Sequence, residues 1–360
     1  MATTSVPAGL TVQQWDDQYF VDYVNQNFFK KFMGTGQNSM IQVREDLTRK
    51  PGGSITYSLV NRLTGTAKNQ NEVLEGAEED AMLRSQEVTI REYAHAVRWK
   101  TFDEQLTAID LRQAHKDILM TWNQELDRDL VIEALGSING VPFASATDGQ
   151  LDAWTVDNED RVLFGATVSN YDPDFSVALA DIDNSDDKLT PGALSLMKRM
   201  AKTANPKIRP FKVKNAIEKS DAYILFTPSL VLRDLINDST FVQANRDARN
   251  RGIDNPLFNG ADYLWDNIFI YEIEDIPMTT NTNSVQVAPV YLCGAQALGQ
   301  AWAKRPQTVD DTFDYGRAKG CAIKEWMKIE KLRFGSGATD TDDPKDCGVL
   351  TGWFAAVADS

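Results

Sequence analysis

Apolar and polar positions alternate with a helical period through residues 101–136. Thr101, with Glu104 three positions later, is a capping-box start, and Gly136 follows the last apolar residue, Leu135, where a left-handed helix cap is expected. The apolar positions recur at three- and four-residue steps: Leu106, Ile109, Ala114, Ile118, Trp122, Leu126 and Leu130. The pattern predicts one helix roughly 50 Å long. Because that exceeds the diameter of a small domain, part of the helix must lie along something other than its own compact core.

A second periodic stretch, residues 11–34, is rich in aromatic residues. Thr11 and Gln14 form a weaker capping box, and Gly34 ends the pattern. The aromatic side chains between them are Trp15, Tyr19, Phe20, Tyr23, Phe28, Phe29 and Phe32. Terminal segments usually fray unless they are tied down. We therefore expect this helix to dock either on the core of its own chain or on a neighbouring subunit, and the sequence leaves both open.

Two strand-like segments flank a long polar loop. Residues 55–59 alternate between apolar and polar after a Pro-Gly-Gly turn, and residues 86–100 form a second alternating segment. The apolar phase of the second segment shifts near Glu92, which predicts a bulge that bends the hairpin. The intervening residues 61–85 are polar, and a loop of that length is usually functional or disordered. A two-stranded arm is not stable alone in water, so the hairpin needs a partner surface.

The second half of the chain interleaves helix and strand signals. Residues 140–189 are acidic and lack a clear period, so we expect them to be irregular. Thr190 followed by Pro191 predicts the N-cap and first position of a helix. The other expected elements are strands at 222–226, 268–271, 322–323 and 326–334, a helix at 230–236, a mixed apolar segment at 290–302 and an apolar tail at 348–358. Helices and strands that alternate in this way predict an α+β fold class.

The composition indicates how large the protein is and in which compartment it is found. At 360 residues, 42% hydrophobic and 25% charged, the chain is typical of a soluble globular protein of roughly two domains. No apolar run approaches a membrane span, and residues 1–9 lack the features of a signal peptide, so we expect no membrane association and no export. Three widely spaced cysteines, Cys293, Cys321 and Cys347, predict reduced thiols in a cytoplasmic protein.

The charge is negative overall and unevenly spread. A net charge of −15 argues against a dedicated DNA-binding protein, because affinity for the phosphate backbone comes from Lys and Arg. Acidic residues crowd residues 148–187, and basic residues crowd residues 198–219. Two interpretations stay open: both segments are solvated faces, or they are complementary patches that pair within or between copies of the chain.

Little in the chain points to catalysis. His95 and His115 are the only histidines, both are expected to be structural, and no P-loop, HExxH, GxSxG or GxGxxG motif is present. Residues 181–186 resemble a calcium loop, but Asp186 stands where the turn glycine is needed and Gly192 where the bidentate Glu belongs. We therefore predict no enzyme, no cofactor and no metal. The abundant carboxylates leave one alternative, a soluble acidic enzyme or carbohydrate-binding protein with a carboxylate site.

Six short motifs follow one another along the second half of the chain. They are residues 160–165 (DRVLFG), 208–210 (IRP), 224–235 (ILFTPSLVLRDL), 293–298 (CGAQAL), 313–316 (FDYG) and 346–349 (DCGV). In this order, after an aromatic terminal helix, a long hairpin and a long helix, they resemble the major capsid proteins of tailed bacteriophages with the Hong Kong 97-type fold, and among them the N-four-type subgroup. The resemblance covers most of the chain.

The resemblance implies a division of the chain and a function. It assigns residues 1–50 to an N-terminal arm, 51–100 to an extended hairpin called the E-loop, 101–138 to the spine helix of a peripheral domain, 139–290 to an axial domain, and 291–360 to the strands and C-terminus that complete the peripheral domain. The implied function is self-assembly into hexamers and pentamers of an icosahedral shell around double-stranded DNA. An acidic subunit fits this role, because a wall that binds DNA tightly would oppose packaging.

The resemblance also implies partners and a location. Besides copies of itself, these are a portal protein and a separate scaffolding protein, expected because the chain has no room for a scaffolding segment before its arm; a decoration protein is left open. Packaged DNA would be held without sequence-specific binding, in a virion assembled in the cytoplasm of the bacterial host. Lys68 lies in the E-loop, where some relatives form Lys–Asn crosslinks, but no motif for the partner is present and we predict no crosslink. The implied subunit-interface residues are Trp15, Tyr19, Tyr23, Phe28, Arg62, Lys68, Glu75, Glu78, Glu79 and Arg84.

Overall fold

The computed structural model describes residues 28–45, 52–60, 66–69, 73–75, 78, 83–106, 111–212, 221–243, 263–337, 339 and 341–358. The helices are α1 (Thr101–Leu106), α2 (Leu111–Gly136), α3 (Asp148–Asp157), α4 (Phe175–Ala180), α5 (Pro191–Thr203) and α6 (Ser229–Asn237). The strands are β1 (Met33–Gly34), β2 (Ile41–Arg44), β3 (Ser54–Val60), β4 (Leu83–Thr89), β5 (Arg91–Lys100), β6 (Val162–Phe164), β7 (Phe211–Lys212), β8 (Asp221–Thr227), β9 (Tyr263–Trp265), β10 (Ile268–Glu272), β11 (Thr279–Thr280), β12 (Gln286–Cys293), β13 (Leu298–Phe313), β14 (Ala318–Lys331), β15 (Arg333–Gly335), β16 (Pro344–Asp346) and β17 (Val349–Ala355).

Two large sheets carry the fold. The first has the order β1-β2-β13-β14-β5, and its centre is the antiparallel pair of the long strands β13 and β14. The second has the order β6-β17-β12-β8-β10-β9, with β11 paired to β12 and β7 paired to β8. The hairpins β3–β4 and β15–β16 form two further two-stranded sheets. The mixture of helices and mixed sheets confirms the α+β class.

Helix α2 joins the two sheets. Its first half packs on the five-stranded sheet, where Leu119 and Met120 contact Trp99 and Ile323. Its last turns, including Leu135, enter a larger cluster that also contains residues of the eight-stranded sheet. Full burial of side chains of this size contributes about 1.5–3 kcal/mol each, so the helix is held mainly by packing rather than by helix propensity.

The predicted helix over residues 101–136 is present as α1 and α2, and residues 107–110 lie outside the described residues. The predicted left-handed cap at Gly136 is wrong. Gly136 is still helical, and a Cβ there would lie 2.9 Å from the Tyr291 hydroxyl oxygen, so the glycine allows a close approach. The left-handed turn comes later, at Asn139 (φ 49°) and Gly140 (φ 84°).

Two further expectations need correction. The alternating segment at residues 86–100 is not one bulged strand: β4 pairs with β3, whereas β5 pairs with β14 in the five-stranded sheet, and the change of partner at Ile90 explains the phase shift. Residues 140–189 are not irregular. They contain α3, β6 and α4, which pack around Trp154 and Phe175 in a hydrophobic cluster. Of these elements only α3 contains acidic residues, and the other acidic residues lie in the turns between them, so each element is too short to show an apolar period in the sequence.

The other elements agree with the sequence. Thr190 is the N-cap of α5, where its Oγ1 accepts a hydrogen bond from the Ala193 N–H at 3.2 Å, and Pro191 is the first helical residue. The buried strand predicted at residues 222–226 is β8, and the strand predicted at 268–271 is β10. The predicted apolar stripe of the long helix is only partly buried, because Leu106 and Ile118 are exposed.

Four of the six sequence motifs meet at one junction between the sheets. Asp346 accepts hydrogen bonds from Lys331 Nζ at 2.9 Å and Trp154 Nε1 at 3.2 Å, and its backbone carbonyl accepts one from Arg161. The Gly294 N–H bonds to the carbonyl of Gly348, and a Cβ at Gly294 would collide with the Arg209 carbonyl oxygen at 2.4 Å. These motifs therefore build the frame of the fold and not a reactive site.

Candidate subunit interface

The hairpin β3–β4 is held firmly at its base. Ile55, Tyr57 and Val88 point to one side and pack on Leu332 and Phe334. The Tyr57 hydroxyl donates to the carbonyl of Gln300 at 2.8 Å. Cross-strand alternation buries this side of the hairpin and exposes the other, so the hairpin has the partner surface that a two-stranded sheet needs.

The side-chain amide of Gln86 fixes the position of the hairpin base on the rest of the subunit. Gln86 Nε2 donates to the carbonyl of Lys331 at 3.1 Å, and Gln86 Oε1 accepts from the Arg333 N–H at 2.8 Å. A buried amide with both ends satisfied favours one register over its neighbours. The hairpin is consequently a fixed support for the loop that it carries.

The far end of the hairpin is apolar and exposed. Val60 and Leu83 face each other as the last strand pair and are 66% and 69% exposed. In the described part of the following loop, Val73 and Leu74 are exposed to a similar degree. Exposed apolar side chains on a projecting element are typical of protein contact surfaces.

The interface residues predicted in the loop fall into two groups. Lys68, Glu75 and Glu78 are exposed, as a contact role requires. Arg62 and Glu79 lie outside the described residues. Their role in subunit contacts stays a prediction.

Arg84 has a different environment. Its side chain is almost fully buried, and its guanidinium donates to the backbone carbonyl of Gly337. The residue therefore ties the hairpin to the segment after β15 of the same chain. Little of the Arg84 side chain is accessible to another subunit. Its role in a subunit contact stays a prediction.

The aromatic N-terminal segment is described only at its end. Trp15, Tyr19 and Tyr23 lie outside the described residues, as does the side chain of Phe28. Residues Phe28–Phe32 form a 3-10 segment rather than the end of an α-helix. Phe29 and Phe32 are buried against Phe226 and Tyr271, with ring centroids 5.2 to 5.9 Å apart. Of the two docking sites left open by the sequence, these two rings use the chain's own core.

The turn between β13 and β14 also exposes apolar side chains, like the far end of the β3–β4 hairpin. The sequence pattern did not reveal this. Tyr315 is fully exposed and has a left-handed backbone (φ 52°), and Phe313 is partly exposed. The Thr101 N–H and hydroxyl both donate to the Arg317 carbonyl at 3.0 Å, which places the exposed Phe102 of α1 beside the turn. The FDYG motif was the only signal in the sequence, and nothing in it indicates exposure.

A buried pair of carboxylates lies where α2 crosses β14. Glu325 and Asp127 are both inaccessible to solvent, and Asn123 Nδ2 lies 3.4 Å from Glu325 Oε2. Burial, with a smaller contribution from the negative charge of Asp127, raises the pKa of Glu325 to about 8. This carboxyl group therefore keeps its proton at neutral pH in the folded subunit.

The two histidines are part of the same contact between helix and sheet. The His95 ring lies 4.8 Å from Trp122, and the His115 ring lies 4.9 Å from Trp99, centroid to centroid. Both rings lie against a tryptophan, which fits the structural role expected from the sequence, and that role stays a prediction. All three cysteines are free thiols, with Cys293 and Cys321 buried.

The described residues form neither a metal site nor a membrane-spanning helix. Within the described ranges, no three His, Cys, Asp or Glu side chains converge in a way that could hold a metal ion. Residues 181–186, which resemble a calcium loop in sequence, contain an Asx turn. In this turn Asp183 Oδ1 accepts hydrogen bonds from the Ser185 N–H at 2.7 Å and from the Asp186 N–H at 2.8 Å. No described helix is long and apolar enough to cross a membrane.

Comparison with known proteins gives one consistent result. The sequence profile of a family described as phage capsid protein matches residues 3–357. The major capsid protein of Pseudomonas phage KPP25 is 26% identical to this chain, and the alignment covers 97% of each protein.

Solved structures agree with the sequence comparison. A chain of the cyanophage Pam1 capsid asymmetric unit is similar with a TM-score of 0.81 and 27% identity, over 100% of both chains. A chain of the capsid of Ralstonia phage GP4 is similar in fold, with a TM-score of 0.73 and 20% identity, over 93% of this chain and 92% of that one. The likeness therefore extends over all or nearly all of the chain.

Proposed function

This chain belongs to the phage capsid protein family, and from that premise we propose that it is the major capsid protein of a tailed phage, whose copies form hexamers and pentamers of an icosahedral shell around double-stranded DNA. The family is one of structural proteins and not of enzymes, which decides against an enzyme with a carboxylate site. The observation that carries the proposal is the full-length match of fold and sequence to phage capsid subunits.

The geometry supports an assembling subunit. The β3–β4 hairpin combines a buried, hydrogen-bonded base with an exposed apolar end, an arrangement that holds a contact surface away from the body of the subunit. The turn around Tyr315 is a second such end, at the far tip of the long β13–β14 pair. A monomer gains nothing from exposing these side chains, whereas a shell subunit buries them against its neighbours.

Finer assignments belong to the same proposal. We infer a fold of the Hong Kong 97 type and the N-four-type subgroup, with residues 1–50 as the arm, 51–100 as the E-loop, 101–138 as the spine, 139–290 as the axial domain and 291–360 as the return of the peripheral domain. The proposed partners are a separate scaffolding protein and a portal protein, with a decoration protein left open. Assembly would take place in the host cytoplasm.

The test is the size of what the chain forms. The full chain is expressed alone and with the scaffolding protein of its phage, and particle mass is measured by light scattering together with negative-stain imaging. Capsomers, sheets or closed shells are expected. A chain that stays monomeric in both preparations would overturn the proposal.

A further inference from the structure

A small pocket lies between the last turns of α2 and the eight-stranded sheet. On the sheet side its wall is made by Pro289 and Tyr291 of β12 and by Trp353 of β17. These three share a face, because Pro289 is directly opposite Trp353 in the antiparallel pair and Tyr291 follows two positions later. The Phe143 ring packs against Trp353, with centroids 5.2 Å apart. The pocket has a volume of about 280 Å³, which admits one apolar side chain.

Trp353 also brings a polar group to this wall. Its side chain is buried, and its indole N–H has no hydrogen-bond acceptor among the described residues. Buried indole N–H groups usually find a partner. A segment of polypeptide in the pocket would bring backbone carbonyl oxygens to this wall, so a peptide suits it better than a purely apolar molecule.

The rim of the pocket is acidic. Asp129 and Glu133 of α2 and Asp275, which follows β10, are all exposed. Arg128 is shared between two of these carboxylates: its Nη2 lies 2.7 Å from Asp275 and its Nε lies 3.7 Å from Asp129. Glu133 forms no ion pair with a described residue. Three carboxylates therefore share one guanidinium, and the rim is negative.

The placement of these carboxylates opposes the stability of α2. Asp129 and Glu133 are four residues apart, a spacing at which like charges on a helix repel. Glu133 lies in the last turn, where the helix dipole favours a cation, and that turn has no basic residue. A cation supplied from outside the subunit would relieve both effects. Local features that oppose folding are expected where a protein binds something.

We propose that this pocket and its acidic rim receive a basic segment of the scaffolding protein, with an apolar side chain in the pocket and a Lys or Arg side chain beside Asp129 and Glu133. The proposal rests on the proposed function and adds the site at which the subunit holds that partner. A second copy of this chain is the competing occupant. Charge complementarity favours a different, basic protein, because copies with a net charge of −15 repel one another.

Charge reversal tests the rim in the full chain. Asp129→Lys with Glu133→Lys is expected to weaken binding of the phage's scaffolding protein about tenfold, measured by fluorescence anisotropy of the labelled scaffolding protein at low salt. The melting temperature of the subunit should not fall, because lysines near the end of α2 complement the helix dipole. The matched control, Asp103→Lys with Asp117→Lys, makes the same change of net charge at two exposed carboxylates outside the pocket and should bind almost as well as the unaltered chain.

Filling the pocket tests the apolar contact without a change of charge. Ala144 is exposed and lines the pocket, so the side chain added by Ala144→Trp is expected to occupy it and to weaken binding of the scaffolding protein about tenfold. Ser145→Trp adds the same side chain at the next exposed residue, outside the lining, and should leave binding unchanged. Thermal melts of both variants show whether the subunit is folded.

A cross-linking experiment tests proximity directly. A carbodiimide joins a carboxylate to a lysine amine when the two groups are in contact. In complexes of the unaltered chain with the scaffolding protein, mass spectrometry should find lysines of the scaffolding protein joined to Asp129 or Glu133. The Ala144→Trp variant should lose these links.

The outcomes distinguish this proposal from the one on which it rests. If the unaltered chain forms particles with its scaffolding protein and neither the lysine pair nor Ala144→Trp weakens binding, the proposed site is wrong. If the lysine pair alone weakens binding, the insertion of a side chain into the pocket is wrong. If both variants bind the scaffolding protein normally but no longer form capsomers, a second copy occupies the pocket and the proposal is overturned. If the unaltered chain forms no particles with its scaffolding protein, the proposed function itself fails.

Discussion

Among single residues, Glu325 shows how strongly the surroundings can change the protonation of a side chain. It lies on a strand with alternating polarity, on the side that faces α2, and is completely buried beside Asp127. Charging a carboxyl group in such a place costs far more than leaving it protonated. The residue thus couples the contact between helix and sheet to pH.

The stability of the subunit should fall as pH rises through the titration of Glu325. The pKa is raised from an ordinary 4.5 to about 8, so the folded state binds the proton more tightly than the unfolded state. The resulting stabilisation is complete below pH 4.5 and is lost as pH rises to 8, by at most about 1.4 kcal/mol per pH unit. Urea unfolding of the subunit between pH 5 and pH 9 measures this slope.

Glu325→Gln provides the comparison, because an amide of the same shape has no proton to lose. The variant should show a flatter dependence of the free energy of unfolding on pH and should exceed the unaltered chain in stability above pH 8. Glu274→Gln, at an exposed carboxylate, is the matched control and should keep the original slope. Identical slopes for Glu325→Gln and the unaltered chain would contradict the assignment.

At the level of elements, helix α5 follows local rules most closely. The sequence predicts this helix from its cap residue Thr190, from Pro191 at the first position and from its apolar period. The structure agrees, because Thr190 makes the cap hydrogen bond and Leu194 and Met197 are buried. Where local preference and tertiary contacts point the same way, an element can be predicted from sequence alone.

Thr190→Ala removes the cap and leaves the Ala193 N–H without its side-chain acceptor. The expected loss is about 1 kcal/mol in the free energy of unfolding, measured by chemical denaturation of the subunit. Thr203→Ala is the control on the same helix: its hydroxyl donates to the Arg199 carbonyl at 3.0 Å within the last turn, and its loss should cost much less. Equal losses at the two positions would rule out a special role for the cap.

Considered as a whole, the molecule separates folding from assembly. The junction at Asp346 and the clusters around α2 hold the two sheets together inside one subunit. In the loop of the β3–β4 hairpin the described residues are exposed, and so is Tyr315 at the turn between β13 and β14. Changes at these ends should therefore affect particle formation more than subunit stability.

Deletion of residues 64–82 tests this separation. It leaves three residues to join Val60 to Leu83, a length that closes antiparallel strands well, and it keeps the anchored base at Tyr57 and Gln86. The melting temperature of the subunit should change by no more than about 3 °C, since the deleted residues that the structure describes are all exposed. Closed shells should be absent from electron micrographs. Normal particles from the shortened chain would contradict the prediction.

The sequence by itself determined the family resemblance, the α+β class, the long helix and the strands β8 and β10, because each depends on local periodicity, caps or contiguous motifs. The tertiary structure alone decided the exchange of partners at Ile90, the role of Gly136, the short elements in residues 140–189 and the proton on Glu325. Each of these is set by residues distant in the chain: β14 beside β5, Tyr291 against α2, Trp353 against Phe175, and Asp127 beside Glu325. Periodicity along one segment carries no information about what lies across from it.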